Sequence, residues 1–185
     1  MNIAVYSGSF NPLHIGHLAI IKHMIEEAGF DMVYLIVSPK NPLKDSISES
    51  TGQDRYDAAI AAVNRHFNQK VRVDDIELNM PAPHFTVRTL MALKEREPEN
   101  TFTFVMGADN LADIRRWRNY TTILKDFGVA VFPRTDHNLT EIKQDLLNED
   151  PAYRIQILEA ELVNISSTQI REAIANGENP SDYLM

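Results

Sequence analysis

The chain has 185 residues, 44% of them hydrophobic and 24% charged, with 7 Gly and 9 Pro, which suits one domain with a buried core and excludes a disordered, collagen-like or low-complexity chain. Cys is absent, so a disulfide framework, a thiolate zinc site and a cysteine nucleophile are excluded. Acidic residues outnumber basic ones by 26 to 18, for a formal net charge of -8, and this argues against a nucleic-acid partner, because duplex binders carry a basic face.

From the N-terminus, Ile3 to Tyr6 reads as a core strand without the basic flank of a secretory leader. Leu18, Ile21 and Ile25 then repeat at helical spacing, with Gly29 as the expected C-cap. Met32 to Val37 is a continuous apolar run, the pattern of a strand buried on both faces of a parallel sheet. Asn41 to Gln53 is polar and Ser-rich and reads as a loop beside the site. A helix is expected over Arg55–Phe67, a strand over Val71–Val73, and a helix over Val87–Glu97 stopped by Pro98. Thr101 to Met106 is a strand running into Gly107, followed by helical stretches over Asn110–Arg115 and Thr122–Asp126. A strand over Gly128–Phe132, a helix over Leu139–Leu147 and a strand over Arg154–Leu158 follow, and a last helix over Thr168–Asn176 is closed by Gly177. This alternation predicts an α/β fold, a doubly wound parallel sheet joined by right-handed crossovers. Ligands in such sheets sit beyond the carboxyl ends of the strands, here after Tyr6, Val37, Met106 and Leu158. No apolar run approaches the ~20 residues of a membrane span, so a cytoplasmic protein with no membrane partner is expected.

Two polar clusters fall at such places. The first strand exits into Ser7-Gly8-Ser9-Phe10-Asn11-Pro12-Leu13-His14-Ile15-Gly16-His17. Gly8 permits a sharp turn and close approach to a ligand. If His17 opens the first helix, both imidazoles converge at its positive end, a natural seat for phosphate. Lone structural histidines, or half of a zinc site, are the alternatives; no third ligand is evident, so no metal-ligating residue is assigned. The segment fits neither a P-loop nor Gly-x-Gly-x-x-Gly. Near the other end, Ser166-Ser167-Thr168-Gln169-Ile170-Arg171 has capping-box spacing from Ser166 to Gln169. Its three consecutive hydroxyls and the Arg171 fork also suit a polyphosphate cradle.

Gly8 to His17 resembles the nucleotidyltransferase signature Gly-x-Phe-Asp-Pro-x-His-x-Gly-His, and Ile165-Ser166-Ser167-Thr168-Gln169-Ile170-Arg171 resembles its partner Ile-Ser-Ser-Thr-x-Ile-Arg. Both together, with Pro39–Lys44, Asp54-Arg55-Tyr56, Phe85–Leu90, Met106–Asn110 and Trp117, are similar to the bacterial nicotinate-nucleotide adenylyltransferases across nearly the whole chain. The resemblance implies a single Rossmann-like nucleotidyltransferase domain over residues 1–185. It implies transfer of AMP from ATP to nicotinate mononucleotide, giving deamido-NAD and pyrophosphate in NAD biosynthesis, with Mg²⁺ on the triphosphate.

By the same resemblance, His14, His17, Lys44 and Arg171 are the expected catalytic set. Gly8, Ser9, Phe10, Gly107, Asp109, Ser166 and Ser167 join His14, His17 and Arg171 around ATP. Ser166, Ser167 and Arg171 hold its β- and γ-phosphates, and Asp109 serves as ribose acceptor, helix N-cap or both. Ser9, Phe10, Lys44, Thr86, Trp117 and Arg118 are expected around the mononucleotide, with Trp117 stacked on the cationic pyridine ring. Thr86 and Arg118 meet the carboxylate through backbone N–H groups, and Arg134 is a weaker candidate. Ser7, Asn11 and Arg88 depart from the usual Gly, Asp and Asp, and the chain stops at Tyr183-Leu184-Met185, where relatives continue into a final helical segment. Phosphopantetheine adenylyltransferases and cytidylyltransferases share the fold, as would a silent nucleotide sensor. Trp117 and the Ser-Ser-Thr-x-Ile-Arg form favour the pyridine acceptor, and His14, His17 and Arg171 favour turnover.

Overall fold

The apolar runs pair side by side in one parallel sheet. A computed structural model describes residues 1–39, 51–161 and 165–185, so Lys44 and most of the Asn41–Gln53 segment lie outside the described residues. Among the described residues the sheet has six strands: β1 (Asn2–Gly8), β2 (Met32–Val37), β3 (Val71–Asp74), β4 (Thr101–Gly107), β5 (Val129–Phe132) and β6 (Ile155–Ile157), in the order β3-β2-β1-β4-β5-β6. Every pairing is parallel; Ile3 lies opposite Met32 on one side and Phe102 on the other. This is the doubly wound order, and its direction reverses between β1 and β4, where a crevice opens at the strand ends.

Alternation along the strands separates two cores. Ile3 and Val5 face a cluster with Leu90, Leu93, Phe102, Met106 and Ile123, while Ala4 and Tyr6 face Ile21, Met24, Leu35, Ala59 and Val63. The helices are α1 (Ile15–Glu26), α2 (Gly52–His66) and α3 (Thr86–Arg96), which carry Ile21 and Met24, Ala59 and Val63, and Leu90 and Leu93 in turn, then α4 (Ala108–Ala112), α5 (Tyr120–Thr122), α6 (Leu139–Glu149) and α7 (Ser167–Ala175). No helix among the described residues is long and apolar enough to cross a membrane.

Several boundaries move for local physical reasons. α2 begins at Gly52, inside the expected loop, because Thr51 and Asp54 cap each other: Asp54 N–H donates to Thr51 Oγ1 at 3.1 Å and Thr51 N–H to Asp54 Oδ2 at 3.0 Å. α1 ends at Glu26 with Glu27 as C-cap, two residues before the expected Gly29, which turns the chain at φ +84°. The stretch read as a helix over Thr122–Asp126 is α5 followed by a wide turn over Ile123–Phe127, closed by Gly128 N–H on Ile123 O at 2.7 Å. Gly128, at φ +84°, is the corner into β5 and not its first residue. α4 starts directly from β4, two residues before the expected Asn110.

Candidate active site

The β1 exit is shaped by backbone and rings together. The left-handed residue of this loop is Phe10, at φ 47°. Gly8 is needed for space, because a Cβ there would sit 3.2 Å from the Phe10 ring. That ring meets Tyr6 and His17 edge-on, with centroids at 5.4 and 5.2 Å. His14, not His17, precedes the first turn of α1, as its N-cap. Gly16 N–H donates to His14 Nδ1 at 3.1 Å, and His14 N–H donates to His17 Nδ1 at 3.1 Å. The rings stack at 3.7 Å with an interplanar angle of 26°. A side chain at position 16 would strike this pair, with its Cβ 2.9 Å from His14 Cε1.

These two bonds settle the protonation pattern. A ring nitrogen that accepts an N–H carries no proton of its own, so in each neutral imidazole the proton sits on Nε2, which is left as a donor. Burial lowers the His14 pKa to about 4. Burial, then the neighbouring His14 and Arg134, lowers that of His17 to about 3. The ligand-free pair is therefore two neutral N–H donors, not two cations that neutralise charge.

Facing the pair is the N-terminus of α7. Ser166 caps it as its spacing predicts, accepting Gln169 N–H at 3.2 Å and donating its own N–H to Gln169 Oε1 at 2.9 Å. Ser167 Oγ donates to Pro12 O at 3.0 Å, and Arg171 donates to Asn11 O and to Thr168 Oγ1. The Ser167 hydroxyl and the Arg171 guanidinium thus tie α7 to the loop that carries the histidines, while Ser166 caps the helix. A cavity of about 250 Å³ lies between them, lined by Tyr6, His14, His17, Arg134, Ser166 and Ser167 among others. Arg134 stacks on Phe132 at 5.2 Å and approaches Asp109 Oδ1 at 3.9 Å.

At the β4 exit, Gly107 caps α4, and a Cβ there would meet Asp109 Oδ1 at 2.6 Å and Phe132 Cε2 at 2.9 Å. Asp109 is the exposed second residue of α4, so its N-cap reading is corrected. Trp117 is half-buried and meets Phe104 edge-on at 6.0 Å. The Arg118 guanidinium covers the Phe85 ring at 4.9 Å, immediately before Thr86 opens α3. The structure thus sets Arg118 against Phe85, the residue before Thr86, and places none of Thr86, Trp117 and Arg118 in the lining of the histidine cavity.

The cytidylyltransferase-like family model matches residues 5–173. The chain belongs to the cytidylyltransferase-like family. It is 38% identical over 184 residues to a Flavobacterium johnsoniae protein named "Probable nicotinate-nucleotide adenylyltransferase", covering 100% of this chain and 92% of that one. A Fusobacterium nucleatum protein of the same name is 35% identical over 187 residues, with 100% of this chain and 93% of that one covered. Among solved structures, Plasmodium falciparum nicotinic acid mononucleotide adenylyltransferase complexed with NaAD superposes with a TM-score of 0.75 at 20% identity, over 99% of this chain and 90% of that one. At that identity the likeness is one of fold.

Within this cytidylyltransferase-like chain, buried charges at the ends of β1 and β2 escaped the sequence reading. Glu77, 5% exposed in the turn after β3, accepts from Ser7 Oγ at 3.2 Å and Ser38 Oγ at 3.1 Å, and burial raises its pKa. Nothing in Asp74-Asp75-Ile76-Glu77 distinguishes this carboxylate from its neighbours. Arg55 entered only as part of a motif; its guanidinium is buried between the ends of β1 and β2. Arg134, the weaker candidate of the sequence, lies just beyond the end of β5 and lines the histidine cavity. Among the described residues no group of three or more His, Asp or Glu side chains is placed to hold a metal ion.

Proposed function

We infer that this protein is a nicotinate-nucleotide adenylyltransferase: an oxygen of the mononucleotide phosphate attacks the α-phosphorus of ATP, the bond to the β-phosphate oxygen breaks, and deamido-NAD and pyrophosphate form. The observation that carries this reading is the full-length 38% identity to a protein of that name. The stacked imidazole pair at the mouth of the sheet supports it chemically. The attacking oxygen is already anionic, so no general base or covalent nucleophile is required, and rate enhancement comes from positioning and from donors aimed at developing charge.

We assign the His14 and His17 Nε2–H groups to the ATP phosphates, with the N–H groups of Ser9 and Phe10 beside them. Arg134 is the cation that lines the same cavity and would face the phosphate charge there. Ser166 caps α7, and Ser167 and Arg171 hold its N-terminus against the loop, so that its first-turn N–H groups would serve the triphosphate. Lys44 keeps its expected role as a phosphate cation, and Asp109 and Gly107 remain the assignment for adenosine. Mg²⁺ would travel on the triphosphate oxygens; the described residues offer it no cluster of ligands of their own, and no protein ligand is assigned. Trp117, with the backbone N–H groups of Thr86 and Arg118, is assigned to the nicotinate ring and carboxylate. The Arg118 charge favours the acid over the neutral amide.

Pyrophosphate release with ATP and Mg²⁺ tests the reading, with nicotinate mononucleotide, nicotinamide mononucleotide and phosphopantetheine offered in parallel. Release is expected to be fastest with nicotinate mononucleotide. Release mainly with phosphopantetheine would discard the Trp117 assignment, and ATP binding without release would point to a sensor. Trp117→Ala is expected to raise KM for the mononucleotide about tenfold and leave that for ATP within about twofold, since a stacked cationic ring is worth about 0.5–2 kcal/mol. The opposite ranking in steady-state kinetics would misplace the ring pocket.

A further inference from the structure

Arg55 sits on α2 at 3% exposure, and among the described residues its Nε and Nη2 have no hydrogen-bond partner. Its Nη1 alone bridges two backbone carbonyls, Ser9 O at 2.8 Å and Ser38 O at 2.7 Å, the first residues beyond the ends of β1 and β2. Burying a guanidinium without a carboxylate partner is costly, and these two carbonyls are what the charge holds in return.

Ser38 is a fixed anchor. Its N–H donates to Gly8 O at 2.9 Å, and its Oγ donates to Glu77 Oε1 at 3.1 Å and lies 3.0 Å from Ser7 Oγ. Ser9 is different, because the residue after it, Phe10, stands at φ 47°, a region that L side chains enter at a cost. A peptide unit is planar and trans, so its C=O and N–H point in opposite directions. Holding Ser9 C=O against Arg55 therefore turns Phe10 N–H away from α2. That N–H has no acceptor among the described residues.

We propose that Arg55 is a positioning residue for adenylyl transfer: it clamps the Ser9 carbonyl to the Ser38 anchor and thereby presents the Phe10 N–H to the substrate phosphates. This rests on the assignment of that N–H to phosphate in the preceding section. The planar fork suits the task because one nitrogen can meet two carbonyls while the rest of the group stays against the packed helix. A lysine ammonium at the end of a shorter stem cannot reproduce that geometry.

Arg55→Lys and Arg55→Ala test the clamp, each measured for thermal midpoint, kcat and KM. Arg55→Lys is expected to stay folded, with kcat lowered at least tenfold and KM for ATP changed less than about threefold. Guanidinium ion is expected to restore kcat of Arg55→Ala at least fivefold, entering through the cavity of about 380 Å³ that Arg55 lines with Phe10 and Asn11. It should not restore His14→Ala. A kcat of Arg55→Lys within twofold of the parent, or losses in both variants that follow only the folded fraction, would overturn the proposal. A second readout is independent of turnover. With ¹⁵N-phenylalanine labelling, the Phe10 amide resonance is expected to shift when α,β-methylene-ATP is added to the parent and to lose that shift in Arg55→Lys. No shift in the parent, or the same shift in both, would also overturn it. A parent that turns over no acceptor yet shows the amide pattern would remove the acceptor reading and leave the clamp standing.

Discussion

Replacing His17 with alanine is expected to lower kcat by about 10²–10³, the usual loss when one preorganised donor to a developing oxyanion is removed. The variant also removes the acceptor of His14 N–H, which lies at 3.1 Å, so a cap loss of about 0.5–2 kcal/mol accompanies it. His17→Asn separates the two effects. Its side-chain oxygen can replace Nδ1 as acceptor, but nothing replaces Nε2–H, so kcat falls as far while the thermal midpoint falls less. Wild-type kcat in His17→Asn would remove the Nε2–H donor from the mechanism. The neutral state of the pair is checked separately by NMR titration of the ligand-free imidazoles. Both should stay neutral down to about pH 5, since burial lowers their pKa values to about 4 and about 3.

The sign of the accompanying stability change follows from the same values. Between the unfolded pKa near 6.5 and the folded values, the unfolded state binds more protons, so stability falls as pH drops through that window. A midpoint near 6.5 for either ring in the folded protein would overturn its assignment as a neutral donor.

How far the sequence carries depends on which forces shape each region. All six strands were legible, as were α1, α3, α6 and α7 to within a few residues, because continuous apolar runs separated by helical periods have few other ways to bury themselves. The Ser166–Gln169 cap was legible too, since that spacing specifies its own geometry locally. The role of Arg171 was not: whether its fork meets a phosphate or Asn11 O depends on how α7 docks against a loop about 160 positions earlier in the chain. The charge state of the histidines was hidden for a similar reason. Spacing placed them together, but only the direction of two backbone N–H groups fixes Nε2 as the donor. Glu77 and Arg55 are buried charges whose partners, at Ser7, Ser9 and Ser38, come from other strand ends, so no local pattern announces them. The left-handed residue of the loop, Phe10 at φ 47°, had no local signal, because an L residue enters that region only when tertiary contacts hold it there, here its ring contacts and the clamp on Ser9.

The largest stability loss is expected from Asp74→Ala. The Asp74 side chain is 1% exposed and receives Arg96 Nη2 at 2.6 Å and Nη1 at 3.2 Å, Ile76 N–H at 3.0 Å, and Arg72 Nε at 3.5 Å. Breaking a buried pair by removing one partner costs about 3–5 kcal/mol. Arg96 retains 34% side-chain exposure and a second contact to Glu97 at 2.7 Å, so water and Glu97 recover part of that, and the lower end of the range applies. With about 2–4 °C of thermal midpoint per kcal/mol in a chain of this size, the midpoint should fall by about 6–12 °C. Asp74→Ala with Arg96→Met should recover part of the loss, because the Arg96 guanidinium is no longer left without its buried carboxylate while Glu97 keeps Tyr34 and Asn100, and a double variant no better than the single would deny that the pair is coupled. The site should register the change as well. Asp74 ends β3 and fixes the first N–H of the turn that carries Glu77 to Ser7 and Ser38, so kcat measured well below the midpoint should fall more than the folded fraction does. If kcat per folded molecule is unchanged, the Glu77 network is set by its own hydrogen bonds and does not need the ion pair beneath it.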